Sequence, residues 1–260
     1  MDLDIQENRS PEKMEPSGRD SYGVLYLVAV PIGNDLDFSE RAKLTLSSVD
    51  YVLCEEFKEA RRFLKLLGID KKLIALNEHT EKIETDNIIR ELKTGKNIAL
   101  ISDHGTPLLE DPGTFIVKRA ITEKIKVTSV PGASSIITAL ILSGFNTKKF
   151  FYYGLLSPVT AERNAELRKI KNIDASVILL DTPYRMSALL NSILETMGKN
   201  QEIALMINLT MDDETIIRGK VEKVINDVNA LGIKKSEFVL VLKGNEKNKP
   251  NRKHKKIIRR

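Results

Sequence analysis

From residue 24 onward the chain keeps one rhythm: a short apolar run, a turn, a stretch of helical spacing, then another apolar run. Val24-Leu25-Tyr26-Leu27-Val28-Ala29-Val30 is apolar without alternation, the pattern of a strand buried on both faces of a parallel sheet. It ends at Pro31-Ile32-Gly33-Asn34, a turn signal. Ser39 can cap a helix running to Ser47. Strands at 51–54, 73–76, 97–101 and 127–130 then alternate with helices at 58–67, 85–93, 113–123 and 134–143. Five β-then-α units predict a parallel α/β sheet, with ligands held beyond the carboxyl ends of its strands.

A second series has strands at 150–153, 177–180, 203–207, 214–218 and 238–242, with helices at 161–170, 185–197 and 221–231. The predicted fold class is therefore α/β with two domains, each a mostly parallel sheet flanked by helices. Residues 23–145 form the first domain and 146–244 the second, between a flexible leader (1–22) and a basic tail (245–260). A cleft between two such domains is a natural small-molecule site.

Composition narrows the class further. With 42% hydrophobic and 30% charged residues, the 260-residue chain can pack one or two cores and is neither disordered nor collagen-like. No run of 18 apolar residues occurs, the acidic opening MDLDIQENRSPEKMEP lacks the apolar core of a secretory signal, and Cys54 has no second cysteine to pair with. These features predict a soluble, cytoplasmic protein. The net charge of +5 is uneven: the last 16 residues carry +7, the first 22 carry −3, and the body is left at +1. The tail KPNRKHKKIIRR can bind phosphate backbones, and a solvated terminus explains it as well.

Several site classes are absent. No G-x-G-x-x-G follows the first strand, Thr94-Gly95-Lys96-Asn97 lacks the rest of a P-loop, and there is no C-x-x-C, H-E-x-x-H or G-x-S-x-G. His79, His104 and His254 are too scattered to predict a metal site. Cys54 reads as a small buried hydrophobe. Three strand-end loops remain. In the first, Pro31 to Asp37, Gly33 permits close backbone approach to a ligand. The second, Ser102 to Gly113, is long for a βα loop and carries three acids. The third, Val130 to Ser135, opens a helix with small residues whose N–H groups can receive a polar ligand edge. Together they offer backbone groups rather than charges, which suits a neutral or zwitterionic cofactor better than a polyphosphate.

The blocks LYLVAVPIGNDLDF (25–38), ISDHGTPLLEDPG (101–113) and VPGASSIITALILSG (130–144) resemble the tetrapyrrole methylase superfamily. Within it they resemble the branch that methylates a ribose 2′-hydroxyl of 16S rRNA. The resemblance runs from about Gly23 to Gly244. It implies an S-adenosyl-L-methionine-dependent methyltransferase, a homodimer, and 16S rRNA or the 30S subunit as partner. It implies cofactor contacts at Pro31, Gly33, His104, Gly105, Thr106, Leu109, Ser134, Ser135, Asp181 and Leu209. A hydroxyl acceptor needs a general base, and Glu55 is the candidate, ahead of Glu56 and Asp103. Lys58, Arg61, Arg62 and Arg185 are candidates for a phosphate track. The chain departs from the branch at Glu55-Glu56-Phe57-Lys58 and Ile207-Asn208-Leu209-Thr210-Met211. Two alternatives therefore stay open: a small-molecule, tetrapyrrole-type methylase, and a catalytically altered paralogue that binds cofactor or RNA.

Overall fold

The structure, a computed structural model, describes residues 22–77 and 80–245. The expected leader except Tyr22, almost all of the basic tail, His79 and His254 lie outside the described residues. The first sheet holds β1 (Val24–Val28), β2 (Tyr51–Cys54), β3 (Lys72–Ala75), β4 (Ile98–Ile101) and β5 (Lys126–Val130) in the order β3-β2-β4-β1-β5. Every pairing in it is parallel. The helices between these strands are α1 (Glu40–Ser48), α2 (Phe57–Leu66), α3 (Glu81–Lys93) and α4 (Thr114–Thr122). Ser39 does cap α1, accepting the Ala42 N–H at 3.1 Å.

Both faces of this sheet are covered, so its central strands tolerate no alternation. Val52 and Cys54 face one core with Phe63 of α2, while Tyr51 and Leu53 face another with Ile88 and Leu92 of α3. Phe63 is fully buried, meets the Phe38 ring edge-on at 5.4 Å, and carries the Arg62 guanidinium 4.3 Å from its centroid. Phe63→Ala is expected to cost about 3–5 kcal/mol of stability, checked by the shift in urea midpoint.

The second sheet comprises β6 (Phe150–Leu155), β7 (Ser176–Asp181), β8 (Glu202–Ile207), β9 (Thr215–Lys220) and β10 (Phe238–Leu242), ordered β6-β7-β10-β8-β9. Here the expectation of a mostly parallel sheet is corrected. Only β6 and β7 pair in parallel; β10 is antiparallel to β7 and β8, and β8 is antiparallel to β9. The cause lies in the connection. Residues 208–214 join β8 to β9 without a helix, and a parallel return needs a crossover of about a dozen residues.

Helices α6 (Thr160–Ile170), α7 (Met186–Met197) and α8 (Val221–Ala230) cover one face of this sheet. The other face receives α5 (Ser135–Ser143), the helix that follows β5 of the first sheet. Its residues Ile136, Ala139 and Leu140 pack with Ile178, Ala204, Met206, Val239 and Val241. The sequence SIITALILS is apolar nearly all round; one side packs on the second sheet, and Ile137 and Ile141 on the other side are exposed. This helix fixes how the carboxyl edge of the first sheet meets the second.

Candidate functional site

The three loops converge at that edge. The Val30 N–H donates to the Gly105 carbonyl at 2.9 Å, and the Gly105 N–H donates to the Pro31 carbonyl at 3.3 Å. Thr106 Oγ1 donates to the Ala133 carbonyl at 3.0 Å, tying the second loop to the third. Gly105 has φ +76°, a left-handed conformation that glycine adopts without penalty. A Cβ on it would lie 2.9 Å from Ile32 Cγ2.

The first loop also touches the second unit. The Asn34 N–H donates to Thr210 Oγ1 at 3.0 Å, and a Cβ on Gly33 would sit 2.5 Å from the Leu209 carbonyl. Gly33 is thus required for close approach between the loops rather than for an unusual φ. Among the described residues, the non-glycine positions with positive φ are Leu108, Glu110, Asn208, Thr210 and Lys124. Four of these five belong to the second loop and the β8–β9 link, so backbone strain is concentrated where the units meet.

Between them lies a cavity of about 420 Å³. Of the sequence-predicted residues, His104, Leu109, Ser135, Asp181 and Leu209 line it. Pro31, Gly33, Gly105, Thr106 and Ser134 shape the loops behind those lining residues. Ser134 acts as the α5 cap, accepting the Ile137 N–H at 3.5 Å. One wall is apolar, with Ile32, Leu180, Met206, Phe238 and Val239; the remaining polar lining includes Glu110, Asp111, Thr182 and Glu237. No Lys or Arg appears among the described lining residues. Sequence reasoning missed Asp111, Glu237 and Phe238. Asp111 lay within a loop already singled out, whereas nothing in the sequence marked Glu237.

The electrostatics separate the acids. Burial first, and then the charges of Glu55, Asp103 and Glu110, push the Asp111 carboxyl up to about 7. Burial also raises Asp103, whose Oδ1 accepts the Glu56 N–H at 3.3 Å. Glu55 ends the β2 edge as expected but is not among the lining residues; its charge acts on Asp111. Glu110 accepts the Tyr152 hydroxyl of β6 at 2.7 Å, joining the second loop to the second sheet. Asp181 Oδ1 accepts the Thr182 N–H at 2.8 Å and pairs with Arg185 at 3.1 Å. Asp181 Oδ2 is buried without a hydrogen-bond partner among the described residues.

Of the four phosphate-track candidates, Lys58 and Arg61 are exposed on α2, while the other two are paired. Arg62 is held by Asp35 at 2.9 Å and Glu59 at 3.0 Å, and Arg185 by Asp181, so neither is a free phosphate contact. Cys54 is buried and its thiol is pushed up to about 12 by burial, which suits a hydrophobe and not a nucleophile. No group of three metal-ligating side chains occurs among the described residues. No helix there is long and apolar enough to cross a membrane.

Two sheet units with a strained-loop cleft at the carboxyl edge of the first define a recognisable class, and the family model for Tetrapyrrole (Corrin/Porphyrin) Methylases matches residues 24–225. The chain belongs to this family. It is similar to "Ribosomal RNA small subunit methyltransferase I" of Bacillus subtilis (strain 168), at 38% identity over 232 residues, covering 89% of this chain and 79% of that one. The namesake protein of Escherichia coli O157:H7 is 32% identical over 238 residues, covering 90% and 82%. Among solved structures, diphthine synthase shares the fold with a TM-score of 0.67 at 15% identity, covering 85% of this chain and 89% of that one. The protein is an S-adenosylmethionine-dependent methyltransferase.

Proposed function

We propose that the protein transfers a methyl group to a ribose 2′-hydroxyl of 16S rRNA, in the cytoplasm and as a homodimer, with residues 23–145 and 146–244 as its two domains. The acid-lined cavity carries this reading. S-adenosylmethionine supplies an activated sulfonium methyl when bound. The cavity volume falls within the range of about 300–1,000 Å³ usual for such ligands. Its carboxylates favour a cation, its apolar wall suits a purine, and the absence of Lys and Arg from the described lining disfavours a polyphosphate.

In this reading the loop residues Pro31, Gly33, His104, Gly105, Thr106, Leu109, Ser134 and Ser135 hold the donor from the first domain. Asp181 and Leu209 complete the site from the second. Glu55, expected as the general base, acts at one remove: burial raises the Asp111 carboxyl most, and the Glu55 charge adds to that rise. Asp111 lines the cavity and takes the hydroxyl proton as the methyl is transferred. The identities to rRNA methyltransferases favour an RNA acceptor over a small tetrapyrrole. The test is competition: methyl transfer to 30S subunits should proceed where uroporphyrinogen III gives no product, and the reverse preference would overturn the RNA reading.

A further inference from the structure

Beside the cavity the chain presents an aromatic ring to solvent on a braced turn. Tyr184 is 74% exposed, although aromatic rings are usually withdrawn from water. It stands in the 3₁₀ turn Pro183–Arg185, directly after the cavity-lining Thr182 and alongside Pro183. The turn is fixed from beneath. Arg185 pairs with the buried Asp181 at 3.1 Å and donates to the Leu156 carbonyl at 2.7 Å and the Ser157 carbonyl at 3.0 Å. The Arg185 N–H closes the turn on the Thr182 carbonyl at 2.9 Å.

A second segment meets the ring. Lys235 hydrogen-bonds the Tyr184 hydroxyl, with its Nζ 4.1 Å from the ring centroid. Lys234 and Lys235 are both exposed and lie just before Glu237 and Phe238, which line the cavity. The acidic cavity itself has no cation among its described lining residues to hold a phosphate. An anionic chain must therefore be gripped at the rim, with one sugar reaching inward.

We infer that Tyr184 is a stacking platform for an unpaired RNA base next to the methylated nucleotide, with Lys234 and Lys235 holding the adjoining phosphates. The inference rests on the RNA reading proposed above. Single-stranded RNA is recognised by stacking splayed bases on aromatic side chains flanked by cations. A ring held by a braced turn loses little freedom on binding, so more of the stacking energy appears as affinity.

The experiment uses the full chain and 30S subunits, with three readouts: acceptor kinetics, S-adenosylmethionine affinity by calorimetry, and anisotropy of a fluorescein-labelled oligouridylate 12-mer. Tyr184→Ala should raise the acceptor KM and weaken 12-mer binding by about tenfold. Its cofactor affinity should stay within twofold. Tyr184→Trp should restore both RNA readouts, because any aromatic face can stack. Lys235→Ala should weaken binding and flatten its salt dependence. Wild-type kinetics in Tyr184→Ala, or equal losses in the Ala and Trp variants, would overturn the platform while leaving the methyltransferase reading intact. A wild-type protein that neither methylates 30S subunits nor binds the 12-mer would overturn the platform and the RNA reading together.

Discussion

Gly105→Arg abolishes measurable S-adenosylmethionine binding, a loss of at least about 100-fold, while the protein remains folded. The residue sits where all three strand-end loops meet, hydrogen-bonded to Val30 and Pro31 through its own carbonyl and N–H. Its Cβ vector points at Ile32, a cavity-lining residue, and passes 3.5 Å from the Ala133 carbonyl. An Arg side chain there displaces Ile32 from the cavity wall and brings a cation beside the carboxylates meant for a cationic ligand. The left-handed φ of +76° adds about 1–2 kcal/mol of backbone strain, small beside the roughly 5–15 kcal/mol that holds a domain together. Gly68→Arg is the control. Gly68 has a similar φ of +66° with nothing within 4 Å of an added Cβ, and it is remote from the lining residues. Calorimetry should find full affinity in Gly68→Arg and none in Gly105→Arg. Comparable affinity in the two variants would remove the cofactor from this cleft.

Asp111→Asn lowers kcat by about 10²–10⁴-fold, the usual contribution of a positioned base, and leaves cofactor affinity within a few-fold. The pH profile supplies the diagnostic. A base must be ionised, and Asp111 is pushed up to about 7, so wild-type activity should rise with pH through a midpoint near 7. Glu55→Gln removes one of the negative charges that raise it, so the rising limb should move to lower pH. The sign for stability is opposite to that for activity. A carboxyl raised in the folded state binds more protons folded than unfolded, so its contribution weakens as pH climbs from the ordinary carboxylate range through 7. Asp111→Asn should therefore melt higher than wild type at pH 8 and show little difference at pH 4. An unshifted limb in Glu55→Gln, or unchanged kcat in Asp111→Asn, would exclude Asp111 as the proton acceptor.

The parallel half of this fold was readable because its strands β2 and β4 are buried throughout and each strand of the sheet is followed by an unambiguous helix. VLYLVAV and YVLC admit little else, and Ser39 and Ser134 mark their helices by capping. The direction of the strands in the second sheet was less accessible. The missing helix between Ile207 and Thr215 was the one local clue to antiparallel pairing, and the overall β/α rhythm obscured it. The placement of α5 on the second sheet depends on packing between distant segments, Ile136 with Val241 for example, which no local pattern encodes.

The candidate site divides along the same line. The glycines and small residues of the three loops announce themselves by composition. The poise of Asp111 does not, since it arises from burial and from the charge of Glu55, a residue far away in sequence, with Asp103 of the same loop adding to it. Arg62 and Arg185 looked equivalent to Lys58 and Arg61 along the chain. Their ion pairs with Asp35, Glu59 and Asp181 became visible only with the fold.

The most direct test of the account is methyl transfer from tritiated S-adenosylmethionine to 30S subunits, followed by digestion of the 16S rRNA to nucleosides. The account predicts label in a single 2′-O-methylated nucleoside, lost with Gly105→Arg and reduced at least about 100-fold with Asp111→Asn. Label on a base, or no label in 16S rRNA from a protein that binds the cofactor, would contradict it.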